Sequence, residues 1–253
     1  MIALSVNLNK IALIRNSRDT TNPSVPDHAR MCIDAGADGI TVHPRPDQRH
    51  IRAQDCFDLA AMLDVEFNIE GNPFTDARKS DRAGVGDYPG FMELVREIRP
   101  AQCTLVPDTD GQLTSDHGFD LKQDGDRVAP LVEELKSLGI RTSLFMDPDP
   151  EQIRLAAQTG TDRIELYTES YADAYKHGEN LEDVFAGFVR AAEVAAEEGL
   201  GLNAGHDLDL NNLPRFAGVP GLLEVSIGHA LTVDAIRMGL ANTVAAYQKA
   251  LGK

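Results

Sequence analysis

Residues 35–43 read AGADGITVH, and residues 159–167 repeat the theme as TGTDRIELY. In both, a glycine follows a helical run, a polar pair turns the chain, and a short β-branched or apolar run follows. Gly36 and Gly160, like Gly139 and Gly199, stand where a helix ends in a left-handed C-cap. Working outward from this unit, strands are predicted at 3–8, 39–42, 65–69, 102–106, 141–145, 163–166, 201–204 and 223–227. Helices are predicted near 25–35, 53–63, 90–98, 127–138, 149–159, 181–198, 209–216 and 232–249, several with Leu, Ala or Val at three- and four-residue spacing. Eight strand-then-helix units in 253 residues predict an α/β chain closed into a (β/α)8 TIM barrel rather than an open sheet.

No Pro/Gly/Ser-rich linker divides the chain, so residues 1–253 are read as one domain. Two connections exceed what the fold needs: 71–89 after predicted strand 3, and 107–126 after predicted strand 4. Both extend the C-terminal face, where barrel enzymes build their sites. The 24 Lys+Arg against 40 Asp+Glu leave a formal charge of −16, which argues against a nucleic-acid or anionic-membrane partner, since both demand a concentrated basic face. A small anionic substrate stays compatible, because a few arginines and backbone N–H groups hold a phosphate. The opening MIALSVNLNK lacks the basic region and apolar run of a signal peptide, and no apolar stretch approaches membrane-spanning length, so a cytoplasmic location is expected. Cys32, Cys56 and Cys103, odd in number and without metal-ligand spacing, read as core residues of a reducing compartment.

The polar residues gather where the strands end. Strand 1 leads to Asn7, Asn9 and Lys10, strand 2 to His43, Arg45, Asp47, Arg49 and His50, and strand 3 to Glu70. Strand 6 carries Glu165, strand 7 ends in Asn203 through Asp207 with His206 between, and strand 8 runs into Gly228-His229. Four of the seven histidines thus fall at or just past strand ends, more than a solvated surface would place there. Alone, each has a bland reading as a turn or packing residue. Together, His43, His206 and Glu70 can meet across the barrel mouth, with Glu70 a general base whose pKa burial raises. Alternation along strand 6 points Glu165 inward, where a carboxylate needs a partner. Asn7 and Asn203 equally suit the task of satisfying backbone groups inside the barrel. The Gly228-His229 step opens a helix N-terminus fit for a phosphate, and Arg15 and Arg18, in the loop expected after strand 1, offer a second anion site with Arg45. His43, Glu70 and His206 make at best a dispersed His2Glu set, so no metal is expected. No Gly-rich nucleotide-binding motif is present.

Seven blocks, VNLNKIALIRNSR (6–18), ADGITVHPRPDQRHI (37–51), FNIEGNP (67–73), TLVPD (104–108), LYTESYA (166–172), LNAGHDL (202–208) and VSIGHA (225–230), together resemble the pyridoxine 5'-phosphate synthase family nearly end to end. The resemblance implies condensation of 1-deoxy-D-xylulose 5-phosphate with 3-amino-2-oxopropyl phosphate, without an external cofactor, giving pyridoxine 5'-phosphate, phosphate and water. It implies that His43 and Glu70 accept protons, His206 donates one, and Glu165 stabilises charged intermediates. Asn7, Arg18, Asp207, Gly228 and His229 would hold the aminoketone phosphate, and Asn9, Lys10, Arg45, His50 and Thr114 the deoxyxylulose phosphate. It further implies a homo-oligomer of dimers grouped into an octamer, with Arg18 reaching a neighbouring site. The chain departs from the commoner family pattern in carrying Asn9-Lys10 for Asp-His, Asp207 for Gly, and a longer path over Thr75 to Tyr88. Two other readings follow from the residues: a Schiff-base barrel aldolase or lyase with Lys10 as nucleophile, and a non-catalytic protein that binds a phosphorylated ligand.

Overall fold

The computed structural model describes residues 1–18 and 20–253. In chain order its elements are β1 (Ala3–Asn7), α1 (Asn9–Asn16), α2 (Val25–Asp34), β2 (Gly39–Val42), α3 (Ala53–Met62), β3 (Glu66–Gly71), α4 (Phe91–Ile98), β4 (Gln102–Leu105) and α5 (Leu121–Ser137). There follow β5 (Arg141–Met146), α6 (Pro150–Gln158), β6 (Arg163–Leu166), α7 (Glu169–His177), α8 (Leu181–Glu197), β7 (Gly201–Ala204), α9 (Leu213–Phe216), β8 (Leu222–Ile227), α10 (His229–Met238) and α11 (Leu240–Ala250). The strands pair in sequence order, all parallel, and β8 returns to β1 to close the barrel.

Parallel partners share a face, so the register separates the two sides of the wall. Leu4, Ile40, Ile69, Cys103, Leu144, Ile164, Leu202 and Val225 are fully or almost fully buried and belong to the main apolar core, the layer between strands and helices. The alternate positions face the barrel axis and are mostly polar: Ser5, Thr41, Asn68, Gln102, Ser143, Asn203 and Glu224. Buried polar groups demand partners, and here they find one another across the lumen. Thr104 Oγ1 donates to Asn68 Oδ1 at 3.2 Å, Asn203 Nδ2 to Gln102 Oε1 at 3.3 Å, and Arg163 Nη1 to Glu224 Oε2 at 3.1 Å. Asn203 therefore bonds side chains of the interior rather than the backbone groups considered for it.

Five helix expectations need correction. Residues after β1 form α1 instead of a loop, and α7 follows β6 where no helix is predicted. Helix α5 begins six residues earlier than the predicted 127, because Asp120 caps it by accepting the Lys122 N–H at 3.2 Å. The long predicted final helix is two helices parted at Gly239, whose φ of 79° favours glycine. In addition, α9 spans only Leu213–Phe216 of the predicted 209–216. Among the described residues no helix is long and apolar enough to cross a membrane.

Candidate active site

The carboxyl ends of the strands surround a cavity of about 430 Å³. Except for Arg18, the residues singled out as catalytic or substrate-binding line it. Their convergence follows from the barrel itself: parallel strands point one end of every strand at the same mouth, so residues distant in sequence meet there. Gly205 and Gly228 permit close approach. A Cβ at Gly205 would lie 2.0 Å from the Ser226 carbonyl oxygen, and one at Gly228 would lie 3.1 Å from the Asn7 side chain.

His43 and Glu70 form the deep part of the site, 6 % and 8 % exposed. His43 Nδ1 stands 3.9 Å from Glu70 Oε2, and the His43 backbone N–H donates to Asn9 Oδ1 at 2.9 Å. Burial pushes the His43 imidazole well below its ordinary range, helped by the positive charge of Arg45. Burial pushes Glu70 well above the carboxylate range, helped by the negative charge of Glu165. Glu165 is itself pushed up to about 7 by burial, with His206 opposing. Burial thus favours the uncharged form of both the imidazole and the carboxyl, whose nearest polar atoms stand 3.9 Å apart. Such a pair can pass a proton in either direction, and each member changes state when a charged substrate arrives.

The outer part is held by loops. His206 Nε2 lies 2.9 Å from Thr114 Oγ1 and its Nδ1 lies 3.0 Å from Asp207 Oδ2. Val106, Phe145 and Tyr167 make a small apolar wall, against which the His206 ring sits edge-on at 5.1 Å from Tyr167. His50 is pushed down to about 3 by burial and by Arg45, and its Nδ1 accepts the Ile51 N–H at 2.9 Å, so its proton is on Nε2. Asn7 Oδ1 accepts the Asn9 N–H at 3.0 Å. Gly228 is the N-cap of α10, and His229 is its first residue, so that helix presents its N-terminus to the cavity.

The expected second anion site is not assembled. Arg15 is buried in α1 with both terminal nitrogens on Asp55, at 2.5 and 2.9 Å, and Arg18 is exposed beyond the helix end. Arg45 already donates to Asp108 Oδ2 at 2.5 Å. Burying an arginine requires a carboxylate, and both candidates have acquired one. Asp108 is the residue that strand-by-strand reading passes over. Its Oδ2 accepts from Arg45 and, at 3.1 Å, from Ser115 Oγ, and lies 3.3 Å from His43 Nε2. It stands three residues beyond β4, the strand-end position that singled out the others.

Fold and site define a (β/α)8-barrel enzyme that moves protons around a small ligand held at the strand ends. Its sequence matches the family model of the pyridoxal phosphate biosynthesis protein PdxJ over residues 4–253, and the chain belongs to that family. The pyridoxine 5'-phosphate synthase of Xanthomonas campestris pv. campestris (strain B100) is 58 % identical over 248 residues, covering 96 % of this chain and 94 % of that one. The enzyme of the same name from Xylella fastidiosa (strain 9a5c) is 52 % identical, with coverage of 96 % and 92 %. A mutant tryptophan synthase alpha-subunit from Pyrococcus furiosus shares the fold alone, with a TM-score of 0.60 at 12 % identity, covering 99 % of this chain and 98 % of that one.

Proposed function

We propose that this chain is an enzyme that condenses 3-amino-2-oxopropyl phosphate with 1-deoxy-D-xylulose 5-phosphate to pyridoxine 5'-phosphate, releasing phosphate and water. The observation that carries the reading is the buried His43–Glu70 pair, with opposite pKa shifts, at the mouth of a barrel whose family makes this cofactor precursor. Imine formation, enolisation, dehydration and ring closure each move a proton, and several acid–base groups around one bound adduct serve them in turn. An incoming ammonium favours the carboxylate form of Glu70, and a carboxylate of raised pKa is basic enough to take the amine's proton and free it to attack a carbonyl. Neutral His43 accepts a proton from carbon in the enolisation. His206 returns one to a departing oxygen, and Glu165 balances the cationic imine. The aminoketone phosphate is placed at Asn7, Asp207 N–H, Gly228 and His229, and the deoxyxylulose phosphate at Asn9, Lys10, Arg45, His50 and Thr114.

Arg18 would complete the aminoketone site of a neighbouring subunit. Its position outside its own cavity, at the end of a helix that exposes Leu13 and Ile14, supports a homo-oligomer of dimers grouped into an octamer. An enzyme of this kind would work in the cytoplasm as one barrel domain. The test is to incubate metal-stripped protein with both substrates and follow pyridoxine 5'-phosphate and phosphate together by chromatography and mass spectrometry. Equal amounts of the two products are expected. Folded protein that binds both substrates and forms neither product would refute the assignment.

A further inference from the structure

Both ring nitrogens of His206 are engaged, Nδ1 with Asp207 Oδ2 at 3.0 Å and Nε2 with Thr114 Oγ1 at 2.9 Å. The two partners differ in what they can give. A threonine hydroxyl donates or accepts, whereas an ionised carboxylate only accepts. Asp207 is held ionised, its pKa lowered first by this bond to His206. The shared proton therefore belongs to Nδ1, and in the singly protonated ring Nε2 is the bare nitrogen that accepts from Thr114 and faces the cavity.

The backbone is arranged to aim this carboxylate. Asp207 has a φ of 64°, a left-handed conformation that aspartate adopts more readily than most side chains but glycine adopts without strain. Thr168 Oγ1 donates to the His206 carbonyl, and Asn212 Nδ2 donates to the Asp207 carbonyl at 3.1 Å. The T-shaped contact with the Tyr167 ring, at 70° between planes, further restrains the plane of the imidazole. A carboxylate beside a phosphate site is electrostatically costly unless its charge is committed elsewhere, and here it is committed to Nδ1–H.

We propose that Asp207 is a positioning residue for His206, fixing the Nδ1–H tautomer and the ring plane so that Nε2 is the nitrogen that exchanges a proton with the bound adduct. The proposal rests on the reading of His206 as proton donor. In the donating step the Nε2–H bond of the doubly protonated ring breaks, the proton passes to the departing oxygen, and the electron pair stays on Nε2. The neutral Nδ1–H ring is thereby restored. Without the carboxylate, an imidazole in water favours the proton on Nε2, and Nδ1–H loses the acceptor that holds the ring in place and stabilises the Nδ1–H product of the donating step.

The tautomer can be read without substrate. In full-length protein labelled with 15N-histidine, ring 15N–1H correlation distinguishes protonated from bare nitrogens, and the His206→Gln variant identifies the His206 signals. The expected wild-type pattern is protonated Nδ1 and bare Nε2. Asp207→Asn keeps it, since the amide oxygen still accepts from Nδ1–H, and Asp207→Gly shifts the proton toward Nε2. In turnover, Asp207→Gly lowers kcat about tenfold or more with KM little changed, within the roughly 10²–10⁴-fold that acid–base catalysis supplies. Its Tm does not fall, because glycine relieves the left-handed strain, and this separates positioning from structural support. A wild-type ring protonated on Nε2 alone, or an Asp207→Gly ring that retains the wild-type pattern, would overturn the proposal. Absence of turnover in the wild type would instead count against the condensation itself, while the tautomer still decides the role of Asp207.

Discussion

Replacing Glu165 by glutamine should stabilise the substrate-free protein, and the gain should depend on pH. Glu165 is 5 % exposed, and burial pushes its carboxyl from an ordinary 4.5 up to about 7. Below pH 4.5 the group is protonated in both folded and unfolded chains, and its burial costs nothing extra. Between pH 4.5 and about 7 the folded chain binds the proton that the unfolded chain releases, so stability falls as pH rises. The gap of about 2.5 pH units, at about 1.4 kcal/mol per unit, amounts to about 3 kcal/mol once pH exceeds about 7. Glutamine has nearly the same shape and never ionises. Glu165→Gln should therefore gain up to about 3 kcal/mol near pH 8, or roughly 6–12 °C in Tm for a chain of this size, while losing turnover. Urea unfolding followed by circular dichroism across this range measures the gain directly. A variant less stable than wild type near pH 8, or a gain that does not shrink as pH falls toward 4.5, would refute the reasoning.

Asp108→Ala leaves Arg45 buried without its carboxylate and should cost about 3–5 kcal/mol in urea unfolding, with faster proteolysis of the 107–120 loop that Asp108 ties to Ser115. Arg15→Ala strands Asp55 in the same way, releases the His50 carbonyl that Arg15 Nη2 holds at 3.0 Å, and should cost a similar amount, about 3–5 kcal/mol, in urea unfolding. Gly205→Ala places a methyl group against the Ser226 carbonyl of the neighbouring strand, which cannot yield cheaply, so thermal denaturation should show a loss of at least about 1–3 kcal/mol.

The strands were legible in the sequence because their outward faces carry a mainly apolar signal, from Leu4 and Ile40 through to Val225, interrupted at Thr142. Helices α1 and α7 were not, because their buried faces carry little of it. Helix α1 buries Ile11 and Ala12 beside Arg15 and Asn16, and Arg15 is acceptable inside only because Asp55, forty residues away, arrives to meet it. Helix α7 buries Tyr171 and Ala174 alone. At the site, His43, Glu70 and Glu165 were legible from strand ends and alternation, since closing the barrel is what brings strand ends together. The pairing of Arg45 with Asp108 was not, because it joins two loops whose relative position no periodicity encodes. The same holds for Asp207: the sequence places a carboxylate beside His206, but only the left-handed turn directs it at Nδ1.

The most direct test of the account compares wild type with His43→Asn and Glu70→Gln, quantifying pyridoxine 5'-phosphate and phosphate from both substrates. If the buried pair carries the proton transfers, wild type forms the two products in equal amounts, and each variant, still folded and able to bind substrate, is slower by roughly 10²-fold or more. A variant within a few-fold of wild type would contradict the assignment of the chemistry to His43 and Glu70.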